Sequence, residues 1–108
     1  MIEWKHFLDS FYVYIYIDPR TNVPFYVGKG KKSRYKHHLS DNRLSKNPNR
    51  GFVGRMKKLF SFGLQPDIKF ALKNMSEQEA LALETEIILF LGRTQNKTGP
   101  LLNLTNGG

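Results

Sequence analysis

The sequence predicts an α+β domain, a small three-stranded antiparallel sheet flanked by helices in the order β-β-α-α-β-α. Three observations lead there. A tyrosine-rich run is interrupted by turn residues, two later segments repeat with a helical period, and no regular strand–helix alternation of the kind a parallel sheet requires is present. With 108 residues the chain has material for one hydrophobic core, so residues 1–108 are expected to form a single domain.

The run Phe11-Tyr12-Val13-Tyr14-Ile15-Tyr16-Ile17 is dense in β-branched and aromatic residues and reads as a strand. Asp18 to Asn22 carries turn chemistry, and Pro24 to Val27 resumes the strand signal until Gly28-Lys29-Gly30 breaks it, which makes 11–28 a β-hairpin. Residues 31–40 hold helix formers, with Arg34 and His38 four apart and therefore on one helix face. Asp41 to Asn49 is polar, ends near Pro48 and reads as a loop. Apolar residues at 52, 53, 56, 59 and 60 give a second helix over 51–62, stopped by Gly63. Ile68, Phe70 and Leu72 alternate in a third strand over 67–73. Ser76 followed by Glu79 has the capping-box form and opens a helix to about Leu91, before Gly92. The Gly- and Pro-containing tail after Gly99 is expected to return across the core.

Cysteine is absent, which excludes disulfides, a thiol nucleophile and thiolate metal sites and favours an intracellular, cytoplasmic setting. No apolar run approaches the roughly 20 residues of a membrane span, and the start carries no signal-peptide core, so no membrane partner is expected. The net charge is +8. It is unevenly placed: residues 1–58 hold thirteen lysines and arginines against four acids, and residues 59–108 hold four against five. The basic half is the candidate face for a polyanion.

Tyr14 and Tyr26, twelve residues apart, lie on adjacent strands of the hairpin and can face one pocket, although strand tyrosines commonly just pack a core. After them come Gly28-Lys29-Gly30, Arg34 with His38, Glu84 within a helix, and Asn103. In this order the chain resembles the GIY-YIG nuclease family over residues 12–107. The first motif stands as Tyr12-Val13-Tyr14, with Tyr12 in place of the family's glycine, and the second as Tyr26-Val27-Gly28. Arg34 occupies the position of the family's helical arginine, and His38 that of a histidine one turn later. Leu83 to Ile88 matches the metal-binding glutamate segment, and Leu102-Asn103-Leu104-Thr105 the closing asparagine segment. Glu86 is a second candidate glutamate. Glu84 fits better, because the family glutamate is followed four positions on by an aliphatic residue, here Ile88, and then by a Gly-Arg pair, here Gly92-Arg93.

The resemblance implies a metal-dependent endonuclease that hydrolyses phosphodiester bonds of DNA, duplex or branched. Such chemistry needs a deprotonated water in line with the leaving oxygen and neutralisation of phosphoryl charge. Glu84 would hold one Mg²⁺ or Mn²⁺, an ion that keeps several waters and takes other ligands from phosphate. The apolar neighbours Ala80, Leu81, Ile87 and Ile88 set Glu84 apart from a solvated helix carboxylate. Arg34 would bind phosphate oxygens through its planar donors, aided by Lys29 and Lys31; Lys29 stands where some family members have a functional lysine. Tyr14 is assigned as general base and Tyr26 as orienting, with the reverse assignment open. Either phenol needs nearby cations to act near neutral pH, its ordinary pKa being about 10. His38 would donate to phosphate or relay a proton, and Asn103, which does not titrate, would hold the site together by amide hydrogen bonds. A further DNA-binding domain or subunit would supply specificity. The competing readings are a non-catalytic basic nucleic-acid-binding domain, in which aromatic strands stack bases, and a docking domain for acidic proteins.

Overall fold

A computed structural model of the chain describes residues 10–107. Strands β1 (Phe11–Asp18) and β2 (Val23–Gly30) form the antiparallel hairpin, and β3 (Asp67–Met75) pairs antiparallel with the other side of β1. The strand order β2-β1-β3 places β1 in the centre, which explains its unbroken apolar run: both of its faces are covered. Tyr12, Tyr14 and Tyr16 project to one face, where they pack with Phe25, Leu44, Phe52, Met56 and Leu59. Val13 projects to the other face, with Val27, Met75, Ala80, Ile88 and Leu101.

The helices supply the covers. Between β2 and β3 lie a 3₁₀ helix (Arg34–Leu39), a single turn α1 (Asp41–Leu44) and α2 (Arg50–Ser61). On α2, Phe52, Met56 and Leu59 are buried at helical spacing, and Asn49 caps the start by accepting from the Phe52 amide at 3.1 Å. On the opposite face lies α3 (Glu77–Leu91), whose capping box is complete. Ser76 Oγ accepts from the Glu79 amide at 3.1 Å, and Glu79 Oε1 accepts from the Ser76 amide at 3.0 Å. Gly92 ends α3 at φ 84°, and a side chain there would overlap the Thr98 carbonyl.

Four expectations are corrected. First, β2 does not break at Gly28 but runs through Gly30, with Gly28 opposite Tyr14 and Gly30 opposite Tyr12. These glycines are seats: a Cβ on Gly28 would overlap the tip of the Tyr14 ring, and one on Gly30 would overlap the Arg34 side chain. Second, the segment after the hairpin is a 3₁₀ helix. Tyr12 Oη donates to the Lys32 carbonyl (2.8 Å) and accepts from the Tyr35 amide (3.0 Å), while Tyr16 Oη donates to the Tyr35 carbonyl (2.6 Å). Hydroxyls from the sheet thus occupy backbone groups that α-helical bonds would use. With three residues per turn, positions four apart diverge by about 120°, so Arg34 and His38 do not share a face: Arg34 is exposed and His38 buried. Third, the loop 41–49 contains α1, held by the Leu44 amide on the Ser40 carbonyl (2.9 Å) and by burial of the Leu44 side chain.

Fourth, the tail does not cross the core. β2 is an edge strand with unpaired backbone groups, and the tail docks along them. The Leu102 amide donates to the Phe25 carbonyl at 2.7 Å, with Leu101 buried on the α3 side and Leu102 packed on the other.

Candidate active site

On α3 the buried stripe is Ala80, Glu84 and Ile88, four residues apart, so a carboxylate stands where the pattern otherwise places an apolar side chain. Glu84 is only 6% exposed. It lines a cavity of about 340 Å³ at the outer edge of β2, together with Tyr26, Asn47, Asn49, Asn103 and Leu104. Gly107 backs the carboxylate: a Cβ there would lie 3.1 Å from Glu84 Oε1. Glu86, the competing candidate, is exposed and lines none of this cavity.

Asn103 is buried in the wall, with each end of its amide hydrogen-bonded to the backbone of β2. Its Oδ1 accepts from the Val27 amide at 3.0 Å, and its Nδ2 donates to the Val27 carbonyl at 2.8 Å, the bonding pattern of a neighbouring strand. Its role is to position; both ends of the amide are taken. Asn49 reinforces the wall, since its Nδ2 donates to the Leu102 carbonyl at 2.7 Å while its Oδ1 caps α2. The sequence by its motifs singles out neither Asn47 nor Asn49. A signal for Asn49 is nevertheless present, an N-cap residue just ahead of the helical period that begins at Phe52.

Tyr14 and Tyr26 lie with ring centroids 6.4 Å apart. Burial raises both phenols above their ordinary pKa. For Tyr26 the Glu84 carboxylate raises it further and the Arg34 guanidinium opposes the shift; for Tyr14 the neighbouring tyrosines add to burial and Arg34 again opposes it. Arg34 therefore acts on both phenols, and Glu84 on Tyr26. Arg34 itself lies with Lys29, Lys31, Phe11 and Glu77 around a separate depression of about 360 Å³, where the Lys31 ammonium stacks 5.3 Å from the Phe11 ring centre. The two lysines thus line a depression that shares no residue with the Glu84 cavity, and because β2 continues to Gly30, Lys29 is a strand residue.

His38 packs edge-on behind Tyr26, with centroids 5.5 Å apart, and against Phe52 at 5.0 Å. Burial first, then His37 and Arg34, lower its pKa to about 4, so the ring is neutral at pH 7. Its Nε2 is buried without a hydrogen-bond partner among the described residues. It supports the Tyr26 ring and does not line the Glu84 cavity. Asp18, read from sequence as a turn residue, is a second buried carboxylate. It is paired with Arg20 at 2.7 Å and Arg55 at 3.7 Å, with its pKa lowered chiefly by the Arg20 hydrogen bond.

Among the described residues no group of three or more His, Asp or Glu side chains gathers to hold a metal. The donor set at Glu84 suits a different arrangement, one hard oxygen ligand for an ion that keeps its own waters. With Glu84 as one of six ligands, five waters at about 30 Å³ each fill roughly 150 Å³, which the cavity of about 340 Å³ holds with space left for phosphate oxygens. No helix among the described residues is long and apolar enough to cross a membrane. Comparison with protein-family models, with curated proteins and with solved structures finds no match to this chain.

Proposed function

We propose that this protein is a metal-dependent endonuclease of the GIY-YIG type acting on DNA. The observation that carries the reading is the buried Glu84 carboxylate opening on a cavity beside Tyr26, with Arg34 acting on both Tyr26 and Tyr14. Of the residues expected from the motif order, Tyr26, Glu84 and Asn103 line this cavity, and Glu86 does not.

In this reading Glu84 would hold a divalent ion, which would supply neutralisation of phosphoryl and leaving-group charge and a more acidic water. Arg34, carried over Gly30, binds a phosphate oxygen through its fork of donors. Tyr26 orients the attacking water from the cavity wall. Tyr14, buried and outside the lining of the Glu84 cavity, would take the water's proton only as a phenolate, where positive charge outweighs its burial; Arg34 supplies part of that charge. Asn103 and the tail fix the edge of β2, so that Tyr26 and Glu84 keep their separation.

The raised phenols favour a second reading, a basic nucleic-acid binder without catalysis. Nicking of supercoiled plasmid by the purified chain in Mg²⁺ separates the two. Glu84→Gln should lose about a hundredfold or more in rate, since the ion contributes several kcal/mol, while still binding DNA. Glu86→Gln should remain active. An active Glu84→Gln removes the assignment, and wild-type protein that binds without nicking establishes the binder.

A further inference from the structure

Asn47 and Pro48 form a ridge with the Glu84 cavity on one side and, on the other, a groove of about 500 Å³ lined by Ser45, Arg50, Val53, Gly54 and Lys57. The ridge is tied down. Asn47 Oδ1 accepts from the Asn49 amide at 2.9 Å, the Asn47 amide donates to the Leu44 carbonyl at 3.0 Å, and Asn49 is anchored to the tail. Arg50, Gly54 and Lys57 are spaced at i, i+4 and i+7, so they form one exposed stripe along α2, two cations with a bare position between them.

Gly54 is the informative residue. Glycine is unfavourable inside a helix; at Gly28, Gly30 and Gly92 a side chain would collide, and at Gly51, in the first turn of α2, it would meet Leu102 and Asn49 at ordinary contact distance. At Gly54 a Cβ would meet nothing within 4 Å, and the residue lies in ordinary helix without positive φ. Nothing among the described residues requires it. A bare helix surface between two cations permits close approach by something outside.

We infer that this groove is a backbone-binding track for DNA, in which Arg50 and Lys57 hold phosphates flanking the one that lies over Glu84 and Gly54 admits the sugar-phosphate chain against the helix. The inference rests on the nuclease reading and extends it by naming the path of the strand. The polarity of α2 adds to it: the helix opens at Arg50 with no acidic residue in its first turn.

The test measures affinity of the full chain for a labelled DNA duplex, in the Glu84→Gln background to prevent cleavage, as a function of salt. Gly54→Leu should fold with an unchanged or raised melting temperature, because its side chain enters open space, and should weaken binding by roughly tenfold. Arg50→Gln with Lys57→Gln should make the slope of log affinity against log salt shallower by about 1.8, at roughly 0.9 for each phosphate no longer neutralised. The control pair Lys69→Gln with Lys73→Gln removes the same charge from β3, at the opposite edge of the sheet, and should leave the slope near that of the parent. A control pair as damaging as the groove pair, or a folded Gly54→Leu that binds like the parent, overturns the track while leaving the nuclease reading in place. Wild-type protein that neither binds nor nicks DNA overturns both.

Discussion

Replacing Asn103 with alanine tests whether the edge of β2 is built as the structure describes. Two buried hydrogen bonds are lost, from the Val27 amide and to the Val27 carbonyl. Each contributes about 1 kcal/mol net, and a main-chain group left dry costs about 1–3 kcal/mol more. The adjoining cavity lets water reach part of the gap, so the total should lie near 2–3 kcal/mol, the lower part of that range. For a domain of this size each kcal/mol moves the melting temperature by about 4–8 °C, which predicts a drop of roughly 10–20 °C. Asn103→Asp should recover less than half of it, keeping the acceptor for the Val27 amide but setting an oxygen against the Val27 carbonyl. The measurement is thermal unfolding by circular dichroism, with exchange of the Val27 amide proton followed by NMR. An unshifted melting temperature together with a Val27 amide still protected in Asn103→Ala would refute the strand-like docking of the tail, and with it the argument that Asn103 positions Tyr26 relative to Glu84.

Gly28→Ala should destabilise the protein by about 1–3 kcal/mol, because the new methyl overlaps the Tyr14 ring tip and the core must shift, with a matching change in the near-ultraviolet signal of the tyrosines. His38 titrates near 6.5 when unfolded and near 4 when folded, so between those values the unfolded chain binds the extra proton. Stability should therefore be level above about 6.5 and fall as pH drops towards about 4, by at most about 1.4 kcal/mol per pH unit from this group. Denaturant midpoints across that window should lose this slope in His38→Phe, which keeps the packing on Tyr26 and Phe52. Affinity for duplex DNA should fall steeply with salt, since residues 29–58 carry eleven lysines and arginines against a single aspartate; an affinity indifferent to salt counts against the basic face.

What the sequence alone determined was the part governed by neighbours along the chain. The alternation of β1, the period of α2 ending at Gly63, and the Ser76 box that opens α3 each depend on residues within a turn or two, and their boundaries fall within a few positions of those expected. The placement of Glu84 in the buried stripe of α3 was legible for the same reason: Ala80 and Ile88 lie one turn to either side. Tertiary structure decided what depends on the residue opposite. Gly28 and Gly30 read as a break because glycine lacks strand propensity, yet with Tyr14 and Arg34 lying over them no larger residue fits without displacing a neighbour. The same tyrosine hydroxyls that reach across from β1 turn Arg34–Leu39 into a 3₁₀ helix, sending His38 inward and leaving Arg34 exposed. Asn103 could be named from its motif, but its function as a substitute strand follows from the open edge of β2, seventy-six residues away in sequence. Hydrogen-bond competition and steric fit at such distances leave no periodic trace in the chain, because the partner is set by how the sheet and helices pack.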